Sequence, residues 1–83
     1  MKYPLPEVIM TKYLNLGGNS GIASYEYGPG YIEVTFKDGA LYLYDETRPG
    51  AAEVETMQQL ADSGRGLNSY ISRKIRSNFS SKR

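Results

Sequence analysis

Tyr31-Ile32-Glu33-Val34-Thr35-Phe36-Lys37-Asp38-Gly39-Ala40-Leu41-Tyr42-Leu43-Tyr44 holds two alternating runs on either side of Asp38-Gly39. Asp-Gly suits a two-residue type I′ turn, because both central positions of that turn need positive φ. The spacing therefore predicts a hairpin with Phe36 opposite Leu41, Thr35 opposite Tyr42, Val34 opposite Leu43 and Glu33 opposite Tyr44. Upstream, Ile22 to Tyr27 reads as a third strand closed by a Gly28-Pro29-Gly30 loop. That loop would set Tyr27 opposite Tyr31 and Tyr25 opposite Glu33. Side chains alternate faces with a period of two. One face is thus expected to carry Ile22, Ile32, Val34, Phe36, Leu41 and Leu43, and the other Tyr25, Tyr27, Tyr31, Glu33, Thr35, Tyr42 and Tyr44.

An aliphatic sheet face needs a cover, and the carboxy-terminal half supplies one. After Arg48-Pro49-Gly50, the residues Ala51, Val54, Met57, Leu60 and Ala61 recur at helical spacing, and Asp62-Ser63-Gly64 stops the run. Leu67, Ile71, Ile75 and Phe79 repeat every four residues, which predicts a second helix over 67–79 with Arg73 and Arg76 turned to solvent. Residues 80–83 read as a disordered basic tail, and residues 1–19 as an amino-terminal extension able to add an edge strand. The expected fold is α+β: a small antiparallel β-meander of three strands, four with that edge, and two carboxy-terminal helices packed on one face.

At 83 residues the chain has room for a single core. It contains neither cysteine nor histidine, which removes the usual zinc and iron–sulfur ligand sets and the commonest nucleophiles and general bases. The carboxylates near the tyrosines (Glu26, Glu33, Asp45 and Glu46) have no evident pocket to raise a pKa, so no catalytic residues, metal or cofactor are expected. Neither a bilayer-spanning run nor a signal-peptide pattern is present, and a cytoplasmic location follows as the expectation.

The formal net charge of +1 hides an asymmetry. Met1–Gly64 carries four basic residues and all nine acidic ones, a net of −5. Arg65–Arg83 carries six basic residues and no acid, a net of +6. Such a split points to an anionic partner for the basic end. Pairing with Glu53, Glu55 and Asp62 of the neighbouring helix is the intramolecular alternative.

Several stretches carry a family resemblance: Ser20-Gly21-Ile22, then Ile32 to Gly39, then Tyr42-Leu43-Tyr44, and finally Ala61 to Ile71 with its small-residue loop and Asn68-x-x-Ile71 helix start. In this order they resemble the KTSC domain, a module called after the carboxy-terminal region of some lysyl-tRNA synthetases and also found alone in bacteria. The resemblance covers roughly residues 20–76. Ser72 stands where the family usually places arginine, with Arg73 and Arg76 nearby as substitutes. The resemblance implies an α+β domain over about 20–79 and suggests RNA binding.

Two functions compete on these residues. In the first, a non-catalytic domain binds RNA or another single strand. Arg65, Arg73, Lys74 and Arg76 would meet phosphates while bases stack on Tyr42 and Tyr44. In the second, the tyrosine-rich face is the interface of a homodimer or a protein partner.

Overall fold

The computed structural model describes residues 11–18 and 20–83. Its centre is the meander of β2 (Ile22–Gly28), β3 (Tyr31–Phe36) and β4 (Leu41–Asp45). Two-residue strands β1 (Thr11–Lys12) and β5 (Ser81–Lys82) extend it to a five-stranded antiparallel sheet in the order β1-β2-β3-β4-β5. Helix α1 (Ala51–Ser63), helix α2 (Leu67–Tyr70) and a π turn (Ile71–Ile75) cover one face. The α+β meander with carboxy-terminal helices is as expected, with an edge strand on each side.

Both hairpins differ by one residue from the expected register. Between β3 and β4 the Gly39 N–H donates to the Phe36 carbonyl (2.9 Å) and the Phe36 N–H to the Ala40 carbonyl (2.8 Å). This is a three-residue loop in which Gly39, at φ 94°, is the left-handed residue. A type I turn followed by such a glycine asks nothing unusual of Asp38, whereas a type I′ turn would force its Cβ into positive φ. The Asp38 carboxylate instead accepts the Ala40 N–H at 2.9 Å. The pairs become Thr35–Leu41, Val34–Tyr42, Glu33–Leu43 and Ile32–Tyr44. Between β2 and β3 the strand runs through Gly28, which pairs with Tyr31, so the loop is only Pro29-Gly30. Pro29 presets its own φ and Gly30 takes φ 81°, the demands of a type II turn. Tyr25 then faces Val34, and Tyr27 faces Ile32.

These shifts overturn the expected sorting of faces. Tyr25, Tyr27, Tyr42 and Tyr44 join Ile32, Val34 and Phe36 beneath the helices, while Leu41 and Leu43 move to the outer face with Glu33 and Thr35. Tyr25 and Tyr44 are buried, and Ile32 and Val34 fully so. A bulge at Ala23 keeps Ile22 in the core as well.

From α1 the core receives Val54, Met57 and Ala61, with Leu60 half-buried and Ala51 exposed. Gly64, at φ 80°, closes the helix by donating to the Leu60 and Ala61 carbonyls. Leu67, Ile71 and Ile75 continue the buried stripe. The second helical segment stops well short of residue 79. The Arg76 N–H bonds back five residues to Ile71 (2.5 Å), and Arg76 itself adopts φ 56° and ψ −125°. The chain then turns, and the Ser80 N–H reaches the Leu43 carbonyl at 2.7 Å. Residues 81–82 pair with Tyr42 and Leu43, so the expected disordered tail is an ordered edge strand.

On the other edge, Thr11 and Lys12 pair with Tyr25 and Ser24. Tyr13 is buried, and its hydroxyl accepts the Leu67 N–H at 3.3 Å. The Leu16 N–H reaches the Gly64 carbonyl at 2.7 Å, which ties this segment to the α1–α2 corner. The rest of the expected extension, residues 1–10, lies outside the described residues.

Candidate nucleic-acid interface

Arg65 stands between two left-handed glycines, Gly64 and Gly66, where the chain turns from α1 into α2. The corner is bound to the amino-terminal segment, so Arg65 is presented on a held turn and its side chain is exposed. Arg73 and Lys74 lie in the π turn. Because Ile71 and Ile75 point inward, both cations are left in solvent, and Arg76 follows at the helical exit.

Intramolecular neutralisation, the alternative use of these charges, is absent among the described residues. The one ion pair there within 4 Å joins Arg83 to Glu33 at 3.5 Å. Asp62, an expected partner, instead accepts hydrogen bonds from the hydroxyls of Tyr25 (2.9 Å) and Tyr27. Burial, then this hydrogen bond, pushes the Tyr25 hydroxyl up to about 12. The Tyr27 hydroxyl is also raised, chiefly by its bond to Asp62. The Asp62 carboxylate, offered by the sequence as an arginine partner, is therefore engaged by tyrosines.

The two expected stacking residues fare differently. Tyr44 is 1% exposed, and it borders an aromatic cavity from within the core. Burial raises the pKa of its hydroxyl, which keeps it neutral. Its assignment as a stacking platform is overturned by the register: paired with Ile32, it points into the core. Tyr42 is half-buried. Phe36 and Phe79 meet it edge-on at centroid distances of 5.3 and 4.9 Å, and the Lys82 ammonium lies 5.4 Å from its ring centroid.

Two concavities divide the expected residues. An open cavity of about 310 Å³ is walled by Phe36, Tyr42, Ile71 and Phe79, with Asp38 and Arg76 contributing polar groups. Tyr42 and Arg76, distant in sequence, thus share one site, with the buried Tyr44 behind it. A second, more polar cavity of about 240 Å³ is lined by Arg65 together with Tyr13, Asn15, Asn68 and Ser69. Arg73 and Lys74 line neither. Sequence reasoning missed Phe36 and Phe79 as cavity walls, having assigned both to the core. Only the return of the chain after Arg76 brings Phe79 against Tyr42.

Comparison with models of known protein families gave no match, and comparisons with curated proteins and with solved structures gave none either. Among the described residues no helix is long and apolar enough to cross a membrane.

Proposed function

We propose that this chain is a KTSC-like, non-catalytic cytoplasmic module that binds single-stranded nucleic acid, with RNA the favoured form, through the cations of its helix layer. The observation that carries the reading is the set Arg65, Arg73, Lys74 and Arg76. All four are exposed, and none has a carboxylate within ion-pair distance among the described residues. Four charges left in solvent at one end of a chain whose other part is net acidic are an electrostatic footprint for phosphate. Arginine adds the bidentate geometry that phosphate accepts. Stacking is reduced in this reading to Tyr42, since Tyr25 and Tyr44 are buried under the helices and the hydroxyls of Tyr27 and Tyr31 are held by Asp62 and Glu26. The burial of Tyr25 and Tyr44 removes two of the tyrosines on which a tyrosine-face homodimer or protein interface would rest.

Binding should be steeply salt-dependent. For single strands each neutralised phosphate contributes about −0.7 to the slope of log K against log salt, so four contacts give a slope of about −3. Between about 50 and 200 mM salt the affinity should fall roughly fifty-fold. Fluorescence anisotropy with a labelled short RNA measures this directly. Arg73→Glu with Lys74→Glu should abolish binding and leave the circular dichroism unchanged. Retained affinity in that variant, or a flat salt response, would reject the reading.

A further inference from the structure

We infer that the aromatic cavity between β4 and the π turn receives one unpaired base, with the adjoining phosphate held by Arg76. This rests on the nucleic-acid reading and gives it a specific subsite. At about 310 Å³ the cavity lies at the small end of the range for ligand pockets, suited to a single planar ring system and its sugar. Its walls are the rings of Phe36, Tyr42 and Phe79 and the side chain of Ile71. Aromatic surfaces of this kind stack bases with little preference among them.

The polar groups select the occupant. Asp38 offers an acceptor suited to a base amine or a ribose hydroxyl, and Arg76 offers a cation suited to phosphate. A nucleotide uses both, whereas an aliphatic chain from a protein or lipid would leave both unpaired. Arg73 and Lys74, exposed in the π turn that precedes Arg76, add positive charge to the same segment of chain.

A second observation bears on Arg76 independently. It occupies φ 56°, ψ −125° in a tight turn closed by the Asn78 N–H on the Ile75 carbonyl at 3.0 Å. The first central position of such a turn ordinarily belongs to glycine, and a side chain there is strained. Strained positions of this kind cluster at ligand sites, where the side chain has a use that offsets its cost in stability. Here the strained residue is also the one that lines the aromatic cavity.

The test is an NMR titration of the full labelled chain with adenosine 5′-monophosphate, ribose 5-phosphate and a short oligouridine RNA. Adenosine monophosphate should shift the amides of Phe36, Tyr42 and Phe79 saturably. Ribose 5-phosphate, which lacks the base, should bind at least tenfold more weakly. Arg76→Gly should raise Tm by about 4 °C or more, through release of the strain, and weaken adenosine monophosphate at least fivefold. Arg76→Gln, which keeps a side chain on the strained backbone, should weaken it similarly without the thermal gain. Equal affinity for ribose 5-phosphate overturns base insertion, and unchanged affinity in both variants overturns the role of Arg76. A lower Tm for Arg76→Gly overturns the strain argument. Oligouridine shifts at Arg73 and Lys74 without shifts in the cavity leave the strand-binding reading standing and reject this subsite. Cavity shifts with the mononucleotide but no binding of oligouridine support the pocket and reject the strand. Silence in all three titrations rejects both.

Discussion

Asp62 shows how a single carboxylate lets a tyrosine-rich strand serve as core. By accepting from Tyr25 and Tyr27 at the edge of the helix layer, it lets the Tyr25 ring be buried without stranding the hydroxyl. The consequence is measurable at high pH. The folded chain holds the Tyr25 proton up to about 12, against 10.0 for the ordinary side chain. Below pH 10.0 both states keep that proton and the contribution is whole. Between 10.0 and about 12 only the unfolded chain releases it, so stability falls as pH rises. Each unit of the difference corresponds to about 1.4 kcal/mol. Urea denaturation across that range should show the fall, and Tyr25→Phe should make it shallower. A wild type with flat stability up to pH 12 would contradict the burial of Tyr25. At this scale the sequence was half legible: eight tyrosines announce themselves, but the hydroxyl partner of Tyr25 and Tyr27 comes from an element 35 to 37 residues away.

At the scale of elements, the least expected feature is β5. Its two residues, Ser81-Lys82, lie in a short polar stretch, Ser80 to Arg83, that carries no strand signature. It orders because β4 would otherwise present an unpaired edge. The Leu41 N–H donates to the Arg83 carbonyl (2.9 Å), and the Arg83 N–H returns to Leu41 (2.7 Å). Arg83 also answers a conflict within the sheet. Glu26 and Glu33 are direct cross-strand neighbours, a like-charge pair that costs stability. The Tyr31 hydroxyl bonds Glu26 at 2.5 Å, and Arg83 pairs with Glu33. A chain ending at Ser80 should therefore lose about 1–2 kcal/mol, and its Leu41 amide should exchange quickly. Hydrogen exchange on the truncated chain reads both, and unchanged protection of Leu41 would show that the edge strand is dispensable. The turns were legible in position and not in type. Asp38-Gly39 and Pro29-Gly30 were visible as breaks, but the conformation chosen at each depends on one residue's φ, and one residue of register reverses every side chain.

For the whole molecule, stability rests on one small core spread over many elements. Leu67 is fully buried where the corner, the amino-terminal segment and the sheet meet. A domain of this length has about 4–12 kcal/mol of stability to lose, and a buried leucine truncated to alanine costs about 2–5 kcal/mol. Leu67→Ala should accordingly lower Tm by more than about 10 °C, as calorimetry would measure. A shift of only a degree or two would mean that the corner is not part of the core. The amino-acid sequence alone determined the three meander strands, helix α1 and the start of the second helical segment, the position of both turns, the buried stripe Val54, Met57, Leu67, Ile71 and Ile75, and the segregation of charge. All of these follow from local periodicity and composition, which a linear reading can count. Tertiary structure alone decided the pairing register, hence the burial of Tyr44 and Tyr25, the ordering of the carboxy terminus and the joining of Tyr42, Phe79 and Arg76 around one cavity. Those outcomes turn on which neighbours come into contact, and contact depends on the closure of the chain in space.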